Sequence, residues 1–335
     1  MTFKKYFYAT IGVSLCVILS IIAFNIYMNE YGLFGNAKGK SIKIWHDERT
    51  TKYLLSYNYI PANFEGILIG PSVSANLNTK NIKDFKIYNA SLDGGNISEL
   101  KYIADNIIQR GNLKFIIICL YPYMTKDHGR KTSSIDPREY WGSLGSKQAV
   151  ELYIDKLFIK LGFRHDRYND YGLNNYNLIA EKPNIKPQKA LQNNKANPQE
   201  TANKVEALDE IAYSELVQLV NAAREKGIKI FGFYYPYYIE KYNEPSFTSY
   251  KDKIDKIFTN QDFIWNMNSE EYAIFRSDLS NYYDKGHLSW KGAAILLQEI
   301  NNKLSMFYNQ QNQTVFGTHN PWPVFSGLAS NHLLL

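Results

Sequence analysis

The chain has 335 residues, 45% of them hydrophobic, and a formal net charge of +6. That length and apolar content specify a globular body with a packed core. The modest charge, with lysines spread along helical segments instead of gathered into a basic arm, argues against nucleic acid as a partner.

The first predicted element is a helix from Tyr6 to Met28, YFYATIGVSLCVILSIIAFNIYM, without a charge. Its roughly 23 residues are enough to cross a hydrocarbon core of about 30 Å. Lys4 and Lys5 precede it, so the positive-inside rule predicts a single-pass protein of the plasma (inner) membrane, with a cytoplasmic N-terminus and everything after Asn29 outside. A cleaved signal peptide is the competing reading. The uncleaved anchor is preferred because the run exceeds a typical signal core of roughly 7 to 15 residues and no A-x-A site comes after it. Of the two cysteines, Cys16 falls in this helix and Cys119 in a predicted strand, so neither a disulfide framework nor a cysteine-based zinc site is expected.

Residues 29–63 are mixed and polar and read as a linker between anchor and body. Four short runs rich in Ile and Phe then read as strands: Phe64 to Gly70, Phe85 to Ala90, Leu113 to Leu120 and Ile228 to Tyr234. Continuous apolar runs of this kind suit a parallel sheet covered on both faces. Between them, Asn96 to Gln109 has an Asn cap and one apolar face, Ala207 to Lys226 stops at Gly227, and Lys291 to Tyr308 forms a closing amphipathic helix. The alternation predicts an α/β fold, a flavodoxin-like three-layer sandwich around a central parallel sheet, over residues 64–310. An insertion at about 125–205 interrupts it. Its first half can form helices, for example Lys147 to Leu161, while Asn169 to Thr201, rich in Asn, Lys, Gln and Pro, reads as a solvated excursion or lid. The tail, residues 311–335, is aromatic and apolar without a period and has no assigned role.

The chemistry concentrates in two segments. GILIGPSVSAN, Gly66 to Asn76, puts Ser72 just past the first strand, where the backbone turns towards a helix and a hydroxyl is exposed to the crevice. YYDKGHLSWKG, Tyr282 to Gly292, puts Asp284 and His287 three residues apart before the last helix. A serine hydroxyl needs an imidazole to take its proton, and the imidazole needs a carboxylate to hold its tautomer. Singly, each residue also suits a plainer role: Ser72 a helix cap, Asp284 a turn cap, His287 a hydrogen-bonded surface residue.

In order and context these blocks resemble the SGNH (GDSL-like) hydrolase family. The resemblance rests on GPSVS at Gly70 to Ser74, YNASLDGG at Tyr88 to Gly95 and DKGHLS at Asp284 to Ser289. It spans roughly Phe64 to Phe307 outside the insertion. It implies Ser72 as nucleophile, His287 as general base and Asp284 as its orienter. It also implies an oxyanion hole made by the amides of Ser72 and Gly94, with Gly95 the adjacent alternative. Two departures stand out. Pro71 occupies the position of the usual Asp, and CLYPY, Cys119 to Tyr123, replaces the block that carries the oxyanion-binding Asn. Tyr121 or Tyr123 could substitute a phenol hydroxyl or simply pack. With Tyr234 and Tyr235 of the YYPYY run, they are the expected site rim.

The departures and the anchor make the chain similar to membrane-tethered acyl-transfer relatives of teichoic acid and exopolysaccharide systems. This similarity implies a serine esterase or O-acyltransferase, acting on a small acyl group such as acetyl on a cell-envelope or exported polysaccharide, beside a multi-pass membrane acyltransferase. The alternative is a non-catalytic glycan-binding or scaffold partner of that acyltransferase. No cofactor and no metal are expected, because His46, His128, His165, His319 and His332 have no ligand-like spacing.

Overall fold

Apolar runs that must be covered on both faces have one economical arrangement, and the chain adopts it. The computed structural model describes residues 2–126, 135–176, 208–242, 244–284 and 286–316. Strands β1 (Gly66–Ile69), β2 (Ile87–Asn89), β3 (Phe115–Leu120), β4 (Lys229–Tyr234) and β5 (Phe263–Asn266) form one all-parallel sheet in the order β2-β1-β3-β4-β5. This is the flavodoxin-like order. Its direction reverses between β1 and β3, which opens a crevice beyond their carboxyl ends.

Side chains alternate across the sheet as the strand period requires. Ile67, Ile69, Ile116, Ile118 and Leu120 face one layer, while Leu68, Ile117 and Cys119 face the other. Among the described helices, α1 is Phe3–Met28, α2 Glu48–Leu55, α3 Tyr59–Asn63, α4 Ser72–Ala75, α5 Ile97–Arg110, α6 Glu139–Gly142 and α7 Lys147–Lys160. They are followed by α8 (Glu210–Glu225), α9 (Glu244–Ile254), α10 (Ala273–Ser277) and α11 (Trp290–Phe316). The first layer is built by α5 and α8, through residues such as Leu100, Ile103, Leu216 and Val220, and the second by α11, through Leu296, Leu297, Ile300 and Leu304. The cap expected at Asn96 is a full capping box with Glu99, which satisfies orphan amides of the first turn of α5 from both sides.

Several expectations change. β5 is additional to the four expected strands: its four residues, FIWN, paired only with β4 and half-covered, are too short to show a period. Residues 29–63 are no linker. They carry α2 and α3, and Tyr31, Ala37, Ile42, Tyr53, Leu54, Leu55, Tyr59 and Ile60 are buried in the same core as β1 and β3. Their polar residues mask an amphipathic α2 whose buried face includes Lys52 and Glu48. The insertion is also more integrated than a solvated excursion. Asn89 at the edge of the sheet donates its amide to Tyr171 O at 2.8 Å, and Gly172, at φ +80°, lies so close that a Cβ would fall 2.2 Å from Asn89 O. Residues 177–201 of the expected excursion lie outside the described residues. α11 continues past Gln311, and the rest of the tail lies outside them too.

α1 has a mean hydropathy of 2.3 in its most apolar window and none of that window is buried, so by length and composition it is able to cross a membrane.

Because α2 belongs to the core, Leu55→Ala should lower stability by about 2–5 kcal/mol, read as a reduced urea midpoint at unchanged slope. A chain starting at Glu30 should unfold cooperatively, and one starting at Phe64 should not, by circular dichroism on heating.

Candidate active site

At the carboxyl end of β1 the chain must turn sharply into α4, and it does so in almost no space. A Cβ at Gly70 would lie 2.3 Å from Ser74 Oγ and 2.6 Å from Cys119 Cβ, so only glycine fits. Pro71 supplies the carbonyl that caps this turn, accepting from the amides of Ser74 and Ala75 at 3.0 and 3.3 Å. Its missing N–H costs nothing there. Ser74 Oγ donates to Pro71 O at 3.0 Å and meets Ser91 Oγ at 2.9 Å, which ties α4 to the turn after β2. Asn89 reinforces the join by donating Nδ2 to the carbonyls of Ser74 and Leu77. Ser72 is left half-buried at the first position of α4, facing the crevice.

The second segment folds into a tight loop closed by the Tyr282–Leu288 bridge and by Tyr283 N donating to His287 O at 2.8 Å. Asp284 Oδ1 accepts the amides of Gly286 and His287, each at 2.8 Å, and the carboxylate receives His287 Nδ1 at 2.8 and 2.9 Å. With Nδ1 carrying the proton towards Asp284, Nε2 is an acceptor. It lies 3.1 Å from Ser72 Oγ. The loop is pinned from both sides: Leu288 N donates to Tyr235 Oη at 3.0 Å, and Asn76 Nδ2 donates to Leu288 O at 2.9 Å. Burial by itself would raise the pKa of Asp284. The hydrogen bond and charge of His287, with the two amides, outweigh it and hold the carboxyl below its ordinary value of 3.8.

Beside α4, joined to it through Ser74 and Ser91, runs the Ser91–Gly95 turn. Ser91 N donates to Asn89 Oδ1, Leu92 N to Gly70 O, Asp93 N to Glu48 Oε2 and Gly95 N to Leu92 O. Among the described residues, the Gly94 amide is the one in this run that donates to nothing. The Ser72 amide likewise has no acceptor there. Gly95, the alternative donor, is thus committed to Leu92, while Gly94 sits at φ +58° with its amide available. The turn is braced from beneath by α2. Lys52, fully buried, donates to Glu48 Oε1 at 2.9 Å and Ser91 O at 2.5 Å, and Arg49 donates to Asp93 O and to Glu99 Oε1. Desolvation lowers the Lys52 pKa, and the Glu48 carboxylate opposes that.

The insertion supplies a further wall. Tyr176 N donates to Asn76 Oδ1 at 3.2 Å, and the Tyr176 ring lies 5.3 Å from the His287 ring. Burial, with the Glu48 and Asp93 carboxylates, pushes its phenol far above its usual range, so it is a neutral donor and acceptor at any working pH.

Ser72, His287 and Asp284 therefore come together, and Gly94 lies in the turn that Ser91 ties to α4. Of the expected rim, Tyr121 Oη lies 3.7 Å from where a Cβ on Gly286 would sit, and Tyr123 Oη 3.6 Å from the same point on Gly94. Tyr235 is fully buried and positions Leu288 instead of lining a rim. Tyr234 is taken away altogether: it faces the other layer and donates Oη to Asp255 at 2.6 Å. Glu48, Arg49, Lys52, Asn76 and Tyr176 are additions that the residues alone do not signal, since they lie in segments that read as linker, short helix and excursion. His46 is paired with Asp155 and Glu151, and His165 is exposed. His128, His319 and His332 lie outside the described residues. No cluster able to hold a metal ion exists among the described residues.

No family model and no curated protein matches the chain. Among solved structures, it is similar to one from Streptococcus pneumonia described as a "putative platelet activating factor", at 10% identity over 77% of this chain and 91% of that one, with a TM-score of 0.43.

A carboxylate whose pKa falls on folding stabilises the folded state above its ordinary pKa and loses that contribution as pH drops through the folded value. Asp284→Asn should therefore be less stable than wild type at neutral pH, with the gap closing as pH falls below 3.8. Urea midpoints at pH 7 and pH 3 measure it, and an unchanged gap would contradict the assigned role.

Proposed function

We propose that the chain is a membrane-anchored, serine-dependent enzyme of the SGNH type that hydrolyses or transfers a small acyl ester. The observation that carries this is the continuous chain Asp284–His287–Ser72, with 2.8 and 3.1 Å links. In this reading His287 Nε2 takes the Ser72 hydroxyl proton as Oγ attacks the acyl carbonyl carbon. The negative charge that develops on the carbonyl oxygen is met in this reading by the amides of Ser72 and Gly94, with the Tyr123 hydroxyl beside Gly94 as a further donor. His287 then returns the proton to the leaving alcohol oxygen, which leaves an ester on Ser72. Water or a sugar hydroxyl, deprotonated by the same imidazole, completes hydrolysis or transfer.

The N-terminal lysines and the apolar α1 support a body held outside the cytoplasm. There an acylated cell-envelope or exported glycan is the accessible substrate class, and a multi-pass acyltransferase a fitting acyl donor. A non-catalytic glycan-binding scaffold is the second reading, favoured by the CLYPY departure at Cys119 to Tyr123.

The full chain in detergent, incubated with a chromogenic acetyl ester and a serine-reactive phosphonate, should turn over and become labelled at Ser72. Ser72→Ala and His287→Ala should each lower kcat by about 10⁶, and Asp284→Asn by about 10⁴. An unlabelled Ser72 together with an unchanged rate in Ser72→Ala would eliminate the mechanism. Glycan binding retained without turnover in all three variants and in wild type would establish the scaffold reading.

A further inference from the structure

Outside the crevice, the feature with no role in the proposed reaction is an apolar surface where α7 leans on α1. Val150, Ile154 and Leu157 of α7, with Leu161 just beyond it, form a continuous exposed stripe, extended by Phe163 at 74% and Trp141 at 71% exposure. A soluble body does not leave so much contiguous apolar surface to water without a partner. The stripe forms one wall of a groove of about 1050 Å³, whose other wall is α1 from Ala9 to Asn25.

The levels of the two helices identify what covers it. Tyr6 and Tyr8 near one end of α1 and Tyr27 at the other are well exposed, as aromatic residues at membrane interfaces are. The distance between them is about 30 Å along the helix at roughly 1.5 Å per residue, which matches a hydrocarbon core. Contacts with the α7 region fall just inside the Tyr27 level. Asn25 donates Nδ2 to Leu144 O at 3.1 Å and accepts Tyr153 Oη at 2.9 Å, Phe24 meets the Tyr153 ring at 5.3 Å, and Gly145 packs on Ile21. Ile21 and Asn25 lie about 9 and 3 Å below Tyr27 along α1. The deeper of these levels falls within the roughly 5–10 Å at which amphipathic helices rest in a leaflet, and the shallower lies at its headgroup edge. The polar Asn25 side chain is thereby fully satisfied within the protein, as a polar group at that depth must be. Basic side chains flank the stripe: Lys147 and Arg138, 87% and 91% exposed, at one end, and Lys160 and Arg164 at the other. They are long enough to reach headgroups. Three of them carry acidic partners, Arg138 with Asp136, Lys147 with Glu151 and Arg164 with Asp155, and the latter two carboxylates also meet His46 on the body.

We infer that α7, with Trp141 and Phe163, is a second membrane element, seated in the phospholipid leaflet on the body's side of the bilayer. It holds the body, and hence its crevice, at a fixed height and orientation against the membrane. The inference rests on α1 crossing that membrane, and it is independent of the chemistry assigned to Ser72.

The test uses the full chain with Cys16→Ala, reconstituted in vesicles of phosphatidylethanolamine and phosphatidylglycerol, with an environment-sensitive nitrobenzoxadiazole probe on one added cysteine at a time; the buried Cys119 is kept, and the Cys16→Ala chain with no added cysteine gives its labelling background. The variants are Ile154→Cys and Leu157→Cys on α7, Leu19→Cys on α1 and Tyr102→Cys on the exposed side of α5. Lipids with a shallow nitroxide should quench the probes at 154 and 157 by about twofold or more, as at 19, and leave 102 unquenched. If 19 is quenched while 154 and 157 behave like 102, α7 is not in the leaflet and α1 still spans. If 19 is also unquenched, the spanning helix and the inference fall together. In native membranes, a photoreactive probe at 154 should yield lipid adducts, and a discrete protein adduct in their place would overturn the assignment in favour of a partner's helix.

Discussion

A lysine with no solvent exposure is tolerated only where its charge is answered, and Lys52 is answered twice, by Glu48 and by the carbonyl of Ser91. Such a pair adds little net stability over apolar packing, yet losing one partner costs about 3–5 kcal/mol because the other stays buried and uncompensated. Its consequence here is geometric. It locks α2, from the segment before the sheet, to the turn that presents Gly94, and Glu48 passes the constraint on to Asp93 N and to Asn174 of the insertion. Three stretches distant in sequence are held in one arrangement by a single pair of charges.

That arrangement explains how a site with unusual blocks keeps its shape. Close packing at Gly70 needs a small neighbour on β3, and Cys119 provides it. Beyond Cys119 the backbone carries the phenol hydroxyls of Tyr121 and Tyr123 up beside Gly286 and Gly94. Pro71 stiffens the turn and caps it through its carbonyl, which takes the amides of Ser74 and Ala75. Pro71 and Cys119 are thus part of how the hydroxyl of Ser72 is presented to the imidazole of His287.

Whatever is local was legible in the residues. Four of the five strands, the cap at Asn96, the helix over Lys147 to Leu161 and the Ser72, Asp284 and His287 set each announce themselves within short segments, through apolar runs, capping chemistry or close spacing. β5 was not legible because an edge strand half-covered on its faces lacks a continuous apolar run. The separate fates of Tyr234 and Tyr235 follow from strand alternation, which sends neighbours to opposite faces. Within YYPYY that period, and not the shared aromatic character, sets where each ring goes.

By itself the sequence determined the class of fold, the identity of an apolar helix able to cross a membrane and the residue types of a hydrogen-bonded Ser, His and Asp set, because backbone periodicity and covalent spacing are written in neighbouring residues. Only the tertiary structure decided that Gly95 spends its amide on Leu92 while that of Gly94 has no acceptor among the described residues, that residues 29–63 belong to the core, and that Tyr176 from the insertion walls the imidazole. Each of those depends on hydrogen bonds and burial between segments brought together only by folding. Polar residues such as Glu48 and Lys52 look like a solvated face until the fold supplies their partners.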